Sequence, residues 1–261
     1  MHRSVLAFAA AMLVAVMTPG AALTQESDSH DGPLPPLLVI LAHPDDEVII
    51  APALARIART GREVRIAFAT SGDAGPGESG LEPGTALARL REEEARCSAR
   101  ALGIAEPVFW DLGDGKLSIL ARSEDSPANQ ALDLIRRAIA QHGPGQVMTF
   151  GPDGGYGHSD HRMVSALVSQ AVQGMGEARP ELLYAAIAEG TLPPIPELQR
   201  WATTAPDLIS HTVLYEPLDL AAAQAATGCY ESQFSAEVRA ALATVFDQSI
   251  WRGTVKFRSG L

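Results

Sequence analysis

The sequence predicts an α/β fold, a mostly parallel sheet with helices packed on it, and three observations predict it. Strand-like apolar runs alternate with helix-period segments from Leu37 to Ile187, the pattern of successive βαβ units. The run Leu37-Leu38-Val39-Ile40-Leu41 has no polar alternation, as expected of a central strand buried on both faces. With 261 residues, 46% of them hydrophobic and 20% charged, the chain can bury one full core.

The elements follow in order. Strand Leu37 to Ala42 leads into helix Val48 to Arg59, and Glu47 at its start is assigned to N-terminal capping. Strand Glu63 to Ala69, helix Ala86 to Ala101, strand Pro107 to Asp111 and helix Ala128 to Gln141 come next. Strand Val147 to Phe150, helix His161 to Gln173 and strand Leu182 to Ile187 complete the alternation. Beyond it the spacing predicts a strand over Thr212 to Tyr215 and helices over Leu220 to Thr227 and Ala236 to Phe246, capping the site or completing the sheet. Two segments are loops by composition: Ser71 to Gly84, rich in glycine and acidic residues, and Thr191 to Pro196, with three prolines. The first follows a strand end, where it can line a cleft.

The N-terminus reads as an export signal. Arg3 precedes an apolar stretch from Val5 to Met17 and the small residues of Thr18-Pro19-Gly20-Ala21-Ala22. The expected division is a signal peptide over 1–22, a flexible linker over 23–36 and a single domain over 37–261. An uncleaved N-terminal anchor is the alternative, disfavoured because the apolar core is short for a bilayer; no stable membrane insertion is expected once the signal is removed. The two cysteines, Cys97 and Cys229, permit one bridge at most, and two small buried thiols are the simpler expectation. A net charge of −11 without a Lys/Arg cluster excludes a nucleic-acid groove.

Two clusters carry the chemistry. Ala42-His43-Pro44-Asp45-Asp46-Glu47 stands where the first strand ends, and His158-Ser159-Asp160-His161 follows the strand ending at Phe150 across the turn Gly151-Pro152-Asp153-Gly154-Gly155-Tyr156-Gly157. Strand ends are where an open α/β sheet places its ligands. A histidine after a strand commonly just packs, and an Asp-Glu pair at a helix start commonly just caps. Two histidine/carboxylate clusters with the same placement point instead to one shared metal. Zn²⁺ takes imidazole nitrogen and carboxylate oxygen, and a catalytic site uses three protein ligands; His43, Asp46 and His161 make such a set. Asp45 and Asp46, adjacent in the chain, cannot share one direction. Asp45 is therefore the candidate general base towards a metal-activated water. His158 is the candidate for stabilising an oxyanion or protonating a leaving amine, with Asp160 holding its ring. His2, His30, His142 and His211 have no such context.

The pairing of Ala-His-Pro-Asp-Asp-Glu with the later Gly-Tyr-Gly-His-Ser-Asp-His resembles the PIG-L/LmbE family of zinc-dependent N-acetylglucosaminyl deacetylases. Thr70-Ser71-Gly72-Asp73, Arg91 and Glu94 ahead of Ala101-Leu102-Gly103, and Leu112-Gly113-Asp114-Gly115 extend the likeness over most of the mature chain. The resemblance implies a Rossmann-like three-layer sandwich and a hydrolase that removes acetyl from an N-acetylglucosamine-type sugar or glycoconjugate. It implies the same metal set of His43, Asp46 and His161, with Asp45 as base and His158 and Asp160 in support. It further implies that Tyr156 polarises the amide carbonyl, that Arg91 and Asp114 contact sugar hydroxyls, and that Gln233 faces the cleft. Tyr230-Glu231-Ser232-Gln233 departs from the usual His-x-Ser-Gln of the family, and the lysine that commonly precedes it is absent.

Two other classes compete with a deacetylase. Paired aspartates at a strand end also suit Mg²⁺ in a metal-dependent phosphoesterase, but the histidines favour zinc and no Lys/Arg-rich phosphate cradle is present. A non-catalytic carbohydrate-binding protein would retain the cleft without needing Asp45, Asp46, His43, His158 and His161 together. Fe²⁺ is the alternative to zinc for the same ligands.

Overall fold

The computed structural model describes residues 34–261; the expected signal peptide and residues 23–33 of the expected linker lie outside the described residues. Among the described residues seven strands form one sheet, in the order β3-β2-β1-β4-β5-β7-β6. β1 (Leu37–Leu41), β2 (Val64–Phe68), β3 (Val108–Phe109), β4 (Gln146–Thr149) and β5 (Glu181–Ala186) are the strands of the alternating region, and all their pairings are parallel. β6 (His211–Leu214) and β7 (Thr254–Ser259) extend the sheet antiparallel, β7 lying between β5 and β6.

The alternation expected of a doubly covered strand is visible in β1. Leu37, Val39 and Leu41 enter one core and Leu38, Ile40 and Ala42 the other. The first core is closed by α1 (Ala51–Arg59), α2 (Thr85–Leu102), α5 (Pro217–Gly228) and α6 (Ala236–Phe246); the second by α3 (Pro127–His142) and α4 (Ser159–Gln173). This is the three-layer α/β sandwich with a mostly parallel sheet. β1 pairs with β2 on one side and β4 on the other, so the chain leaves β1 and β4 in opposite senses. The crevice at their carboxyl ends is the topological switch point of such a sheet.

Three expectations are corrected here. The sequence predicts no strand after Phe246, but Thr254–Ser259 form β7, in which Val255 and Phe257 point inward between exposed or half-buried neighbours. The helix expected from Val48 begins at Ala51, because Asp46–Ile50 form a tighter 3₁₀ turn that carries the His43–Asp46 loop into it. Cys97 and Cys229 are bridged, with Cα atoms 5.8 Å apart, which joins α2 to the end of α5.

Candidate metal centre and active site

The loop after β1 is held by backbone geometry before any ligand is considered. Asp46 accepts hydrogen bonds from the backbone N–H of Ala42 at 3.0 Å and His43 at 2.8 Å, which fixes its carboxylate. Asp45 sits in the left-handed region at φ 99°, a strained conformation for a non-glycine residue. Its own N–H donates to Glu47 at 3.2 Å and its carboxylate receives Arg91 at 3.0 Å. Across the switch point, the turn after β4 places His158 at the N-cap of α4 and His161 one turn in.

The contacts of the rings set one tautomer. Nδ1 of His161 lies 3.2 Å from the Gly154 carbonyl and donates to it, leaving the Nε2 lone pair free. Nε2 of His43 lies 3.0 Å from Asp114 and 3.5 Å from Asp160. His43 Nδ1 donates to that lone pair at 3.1 Å, and both nitrogens are open to a cation once this proton leaves. Asp46 oxygens lie 3.0 Å from His161 Nε2 and 3.7 Å from His43 Nδ1. Tetrahedral ligands at about 2.0–2.1 Å from a zinc ion lie about 3.3 Å apart. Two imidazole nitrogens and a carboxylate at that spacing fit one cation, and His43, Asp46 and His161 are the residues that would hold it.

The local field agrees. Burial disfavours charge on His43, yet Asp114, Asp160 and Asp46 outweigh it and raise its pKa to about 10. Burial likewise opposes charge on Asp46, but His161 and His43 bring its pKa down to about 2. The carboxylates thus favour a proton on the His43 ring, and a cation at Nδ1 would compete with that proton for the same lone pair. Asp45 behaves differently: burial pushes its carboxyl up to about 7, Arg91 pulling down and Asp46 pushing up.

The structure brings His43, Asp46, His161, Asp45, His158, Asp160, Asp114 and Tyr156 to one crevice, but it alters several roles. Asp160 does not hold the His158 ring with its carboxylate. That carboxylate accepts from Gly115 N–H at 2.7 Å and faces His43, whereas the backbone N–H of Asp160 donates to His158 Nδ1 at 3.2 Å. Asp114, expected on a sugar hydroxyl, instead faces the His43 ring, 3.0 Å from its Nε2, and accepts the Ala74 N–H at 3.3 Å. Arg91, expected on the same hydroxyls, is buried. Its guanidinium donates to the carbonyls of Gly72 and Pro44 and to Asp45. Gln233 donates its amide to Gly75 O and Ser232 Oγ, each at 3.1 Å, bracing the loop 71–84.

Glu47, read from sequence as a helix cap, is instead a buried acceptor. It receives Ser98 Oγ–H at 2.5 Å, the Tyr230 hydroxyl and the Asp45 N–H. Burial, partly offset by the Ser98 and Tyr230 hydroxyls, raises its pKa. Tyr230, the departure from the family pattern, is fully buried on this carboxylate and does not line the crevice. Phe150 stacks on His161 at 4.6 Å between centroids, fixing the ring from outside the polar cluster; no signal in the sequence separates this phenylalanine from its neighbours in β4.

Fold and site together define an α/β protein with a His/Asp group that could hold a metal at the switch point of its sheet. The comparisons with known proteins agree with that class. The pattern of PIG-L, GlcNAc-PI de-N-acetylase, matches residues 38–172, just over half of the chain, and the chain belongs to this family. A deacetylase of 1D-myo-inositol 2-acetamido-2-deoxy-alpha-D-glucopyranoside from Mycobacteroides abscessus is 27% identical over 173 residues, 60% of this chain and 62% of the relative. The chain spans about half to three-fifths of the length of the first curated relatives it matches. The N,N'-diacetylchitobiose deacetylase of Pyrococcus horikoshii shares the fold, with a TM-score of 0.59, 20% identity, and 85% and 82% of the two chains covered. So does the 4-carboxy-2-hydroxymuconate hydratase of Pseudomonas putida, with a TM-score of 0.60, 17% identity, and 87% and 96% covered. The fold is thus common to hydrolase and hydratase, and the site must carry the distinction.

Proposed function

We propose that the chain is an exported, zinc-dependent hydrolase that removes the N-acetyl group from an N-acetylglucosamine-type sugar or glycoconjugate, releasing acetate and a free amine. The observation that carries this reading is the convergence of His43 Nδ1, His161 Nε2 and Asp46 beside a carboxylate, Asp45, that is not part of the set. Family membership and the acetylated amino sugars named for the relatives support it. Held by these three residues, Zn²⁺ supplies Lewis acidity to the amide carbonyl and acidifies a water.

The remaining work falls to the chain itself. Asp45, restrained by Arg91 and by its N–H to Glu47, takes the proton of the attacking water; a pKa pushed to about 7 suits a base operating near neutrality. Burial and the neighbouring His43 and His161 keep the His158 pKa low, and its Nδ1 accepts from Asp160 N–H. The proton of the neutral ring therefore sits on Nε2, and the Nε2–H hydrogen-bonds to the carbonyl oxygen as that atom gains charge, keeping its proton throughout. The Tyr156 phenol, whose pKa is raised by burial and by Asp46 and Asp45, stays protonated as a donor at the rim. The nitrogen leaves with the proton collected by Asp45.

The test measures metal content and acetate release from N-acetylglucosamine and its short oligomers. Asp45→Ala is expected to retain metal and lose about 10²- to 10⁴-fold in kcat, whereas Asp46→Ala loses the metal. Protein holding one zinc per chain that releases no acetate from any of a broad set of N-acetyl sugars would overturn the reading, and full activity in Asp45→Ala would overturn the base. The Cys97–Cys229 bridge supports export to an oxidising compartment. N-terminal sequencing of the protein recovered outside the cytoplasm is expected to begin after Ala22.

A further inference from the structure

The crevice does not end at the polar cluster. A cavity of about 580 Å³ opens beside it, with Asp45 and Asp46 at one end and Phe150, Ile187, Leu198 and Trp201 among its walls. None of loop 71–84, Asp114 or Lys116 lines it. The two environments suit different chemistry. Tyr156, Asp153, Glu197 and Thr204 are the cavity's other polar lining residues, and the rest of the wall is apolar, so a sugar hydroxyl seated on that apolar part would lack a partner, which is unfavourable. An alkyl chain gains with every methylene buried there. At about 30 Å³ per methylene, close to the share of one water in the liquid, an eight-carbon chain needs about 240 Å³. An acetyl methyl leaves nearly all of the cavity unfilled.

Asp45 and Asp46 belong both to the cavity wall and to the reacting cluster, so the occupant is attached to the reacting carbonyl. A second polar face stands on the loops after β2 and β3, where Asp73 accepts the Asp114 N–H and Asp114 accepts the Ala74 N–H. On the basis of the amide-hydrolase reading above, we propose that the preferred substrate is an amino sugar N-acylated by a medium-length alkyl chain, with the chain seated in this cavity. Water adds its oxygen to the acyl carbon, the C–N bond breaks, and the nitrogen takes both protons of the water, so that a fatty carboxylate and the protonated amine result. No redox partner is required.

The experiment compares N-acetyl-, N-butanoyl-, N-hexanoyl- and N-octanoylglucosamine on the zinc-loaded full chain, with calorimetric binding of the same compounds to zinc-loaded Asp45→Asn. The expected result is a rise in kcat/KM of about fourfold per methylene over the first additions, and octanoyl binding at least tenfold tighter than acetyl. Leu198→Trp and Ala186→Phe, which fill the cavity from a loop and from β5, are each expected to lower the octanoyl-to-acetyl ratio of kcat/KM by at least tenfold. Acetate release from the acetyl sugar, with octanoylglucosamine bound no tighter than N-acetylglucosamine, overturns this inference and leaves the deacetylase reading standing. Tight octanoyl binding with neither amide cleaved overturns the hydrolase reading, and the deacylase with it, while the cavity keeps its alkyl occupant.

Discussion

The parallel part of the sheet, through β5, and the segment after it differ in what they contribute to one site. The first supplies every candidate metal ligand and the candidate base, all at the carboxyl ends of β1 and β4 or just beyond. The family pattern, over residues 38–172, lies wholly within it. The second supplies no ligand. It contributes Tyr230 against Glu47, Ser232 against Glu94, one half of the disulfide, and apolar cavity walls from Leu198 to Trp251. The helix α2 joins the two, because Arg91, Glu94, Cys97 and Ser98 lie along it at helical spacing. Arg91 grips Asp45, Glu94 accepts Ser232 N–H and Oγ–H, Cys97 is bridged to Cys229, and Ser98 shares Glu47 with Tyr230. Reaction chemistry thus resides in the strand ends, and the later segment sets how firmly those ends are held and what may enter.

That division can be broken or sharpened by four variants. Replacing Cys97 and Cys229 together by serine is expected to cost about 2–5 kcal/mol in denaturant unfolding; metal affinity should stay within about threefold, and a collapse of metal binding would show that the second region builds the site. Asp114→Ala is expected to weaken zinc binding about 10- to 100-fold, measured by competition with a chelator, with little change in unfolding of the metal-free protein. Tyr230→Phe deprives the buried Glu47 of a donor and is expected to cost about 1–3 kcal/mol. Its unfolding free energy should fall while its metal stoichiometry does not.

The smallest effect concerns the seam between α1 and α5. Burial raises the pKa of Asp219, but Arg59 and the Glu216 N–H more than compensate and hold it below the usual carboxylate range. A depressed folded-state pKa stabilises above the unfolded value of about 3.9 and loses that stabilisation as pH falls through the folded value. Asp219→Asn, which also weakens the capping box of α5, should therefore cost about 1 kcal/mol at pH 7, with the difference closing below about pH 4. A constant difference across that range would assign the effect to the cap alone.

Much of the first region was legible in advance because its signals are local. An unbroken apolar run followed by His-Pro-Asp-Asp is read within a dozen residues, and so are the strand, turn and helix around His158 and His161. Asp45 was separable from Asp46 because neighbours in a chain cannot point the same way. Misassigned residues share a different property. Glu47 looked like a cap because its partners Ser98 and Tyr230 lie 51 and 183 positions away. Arg91 and Asp114 looked free for a sugar because Asp45 and His43 meet them only across the sheet.

By itself, then, the sequence determined the succession of βαβ units and the residue types delivered to the strand ends, since periodicity and side-chain chemistry are properties of short segments. Only the tertiary structure decided which ring nitrogens face each other, that Asp160 and Asp114 turn to His43, that β7 slips between β5 and β6, and that Cys97 meets Cys229. It alone decided that an apolar cavity opens beside Asp45. Each of these depends on long-range packing, where hydrogen-bond direction and excluded volume, rather than local propensity, select among the partners that the chain makes available.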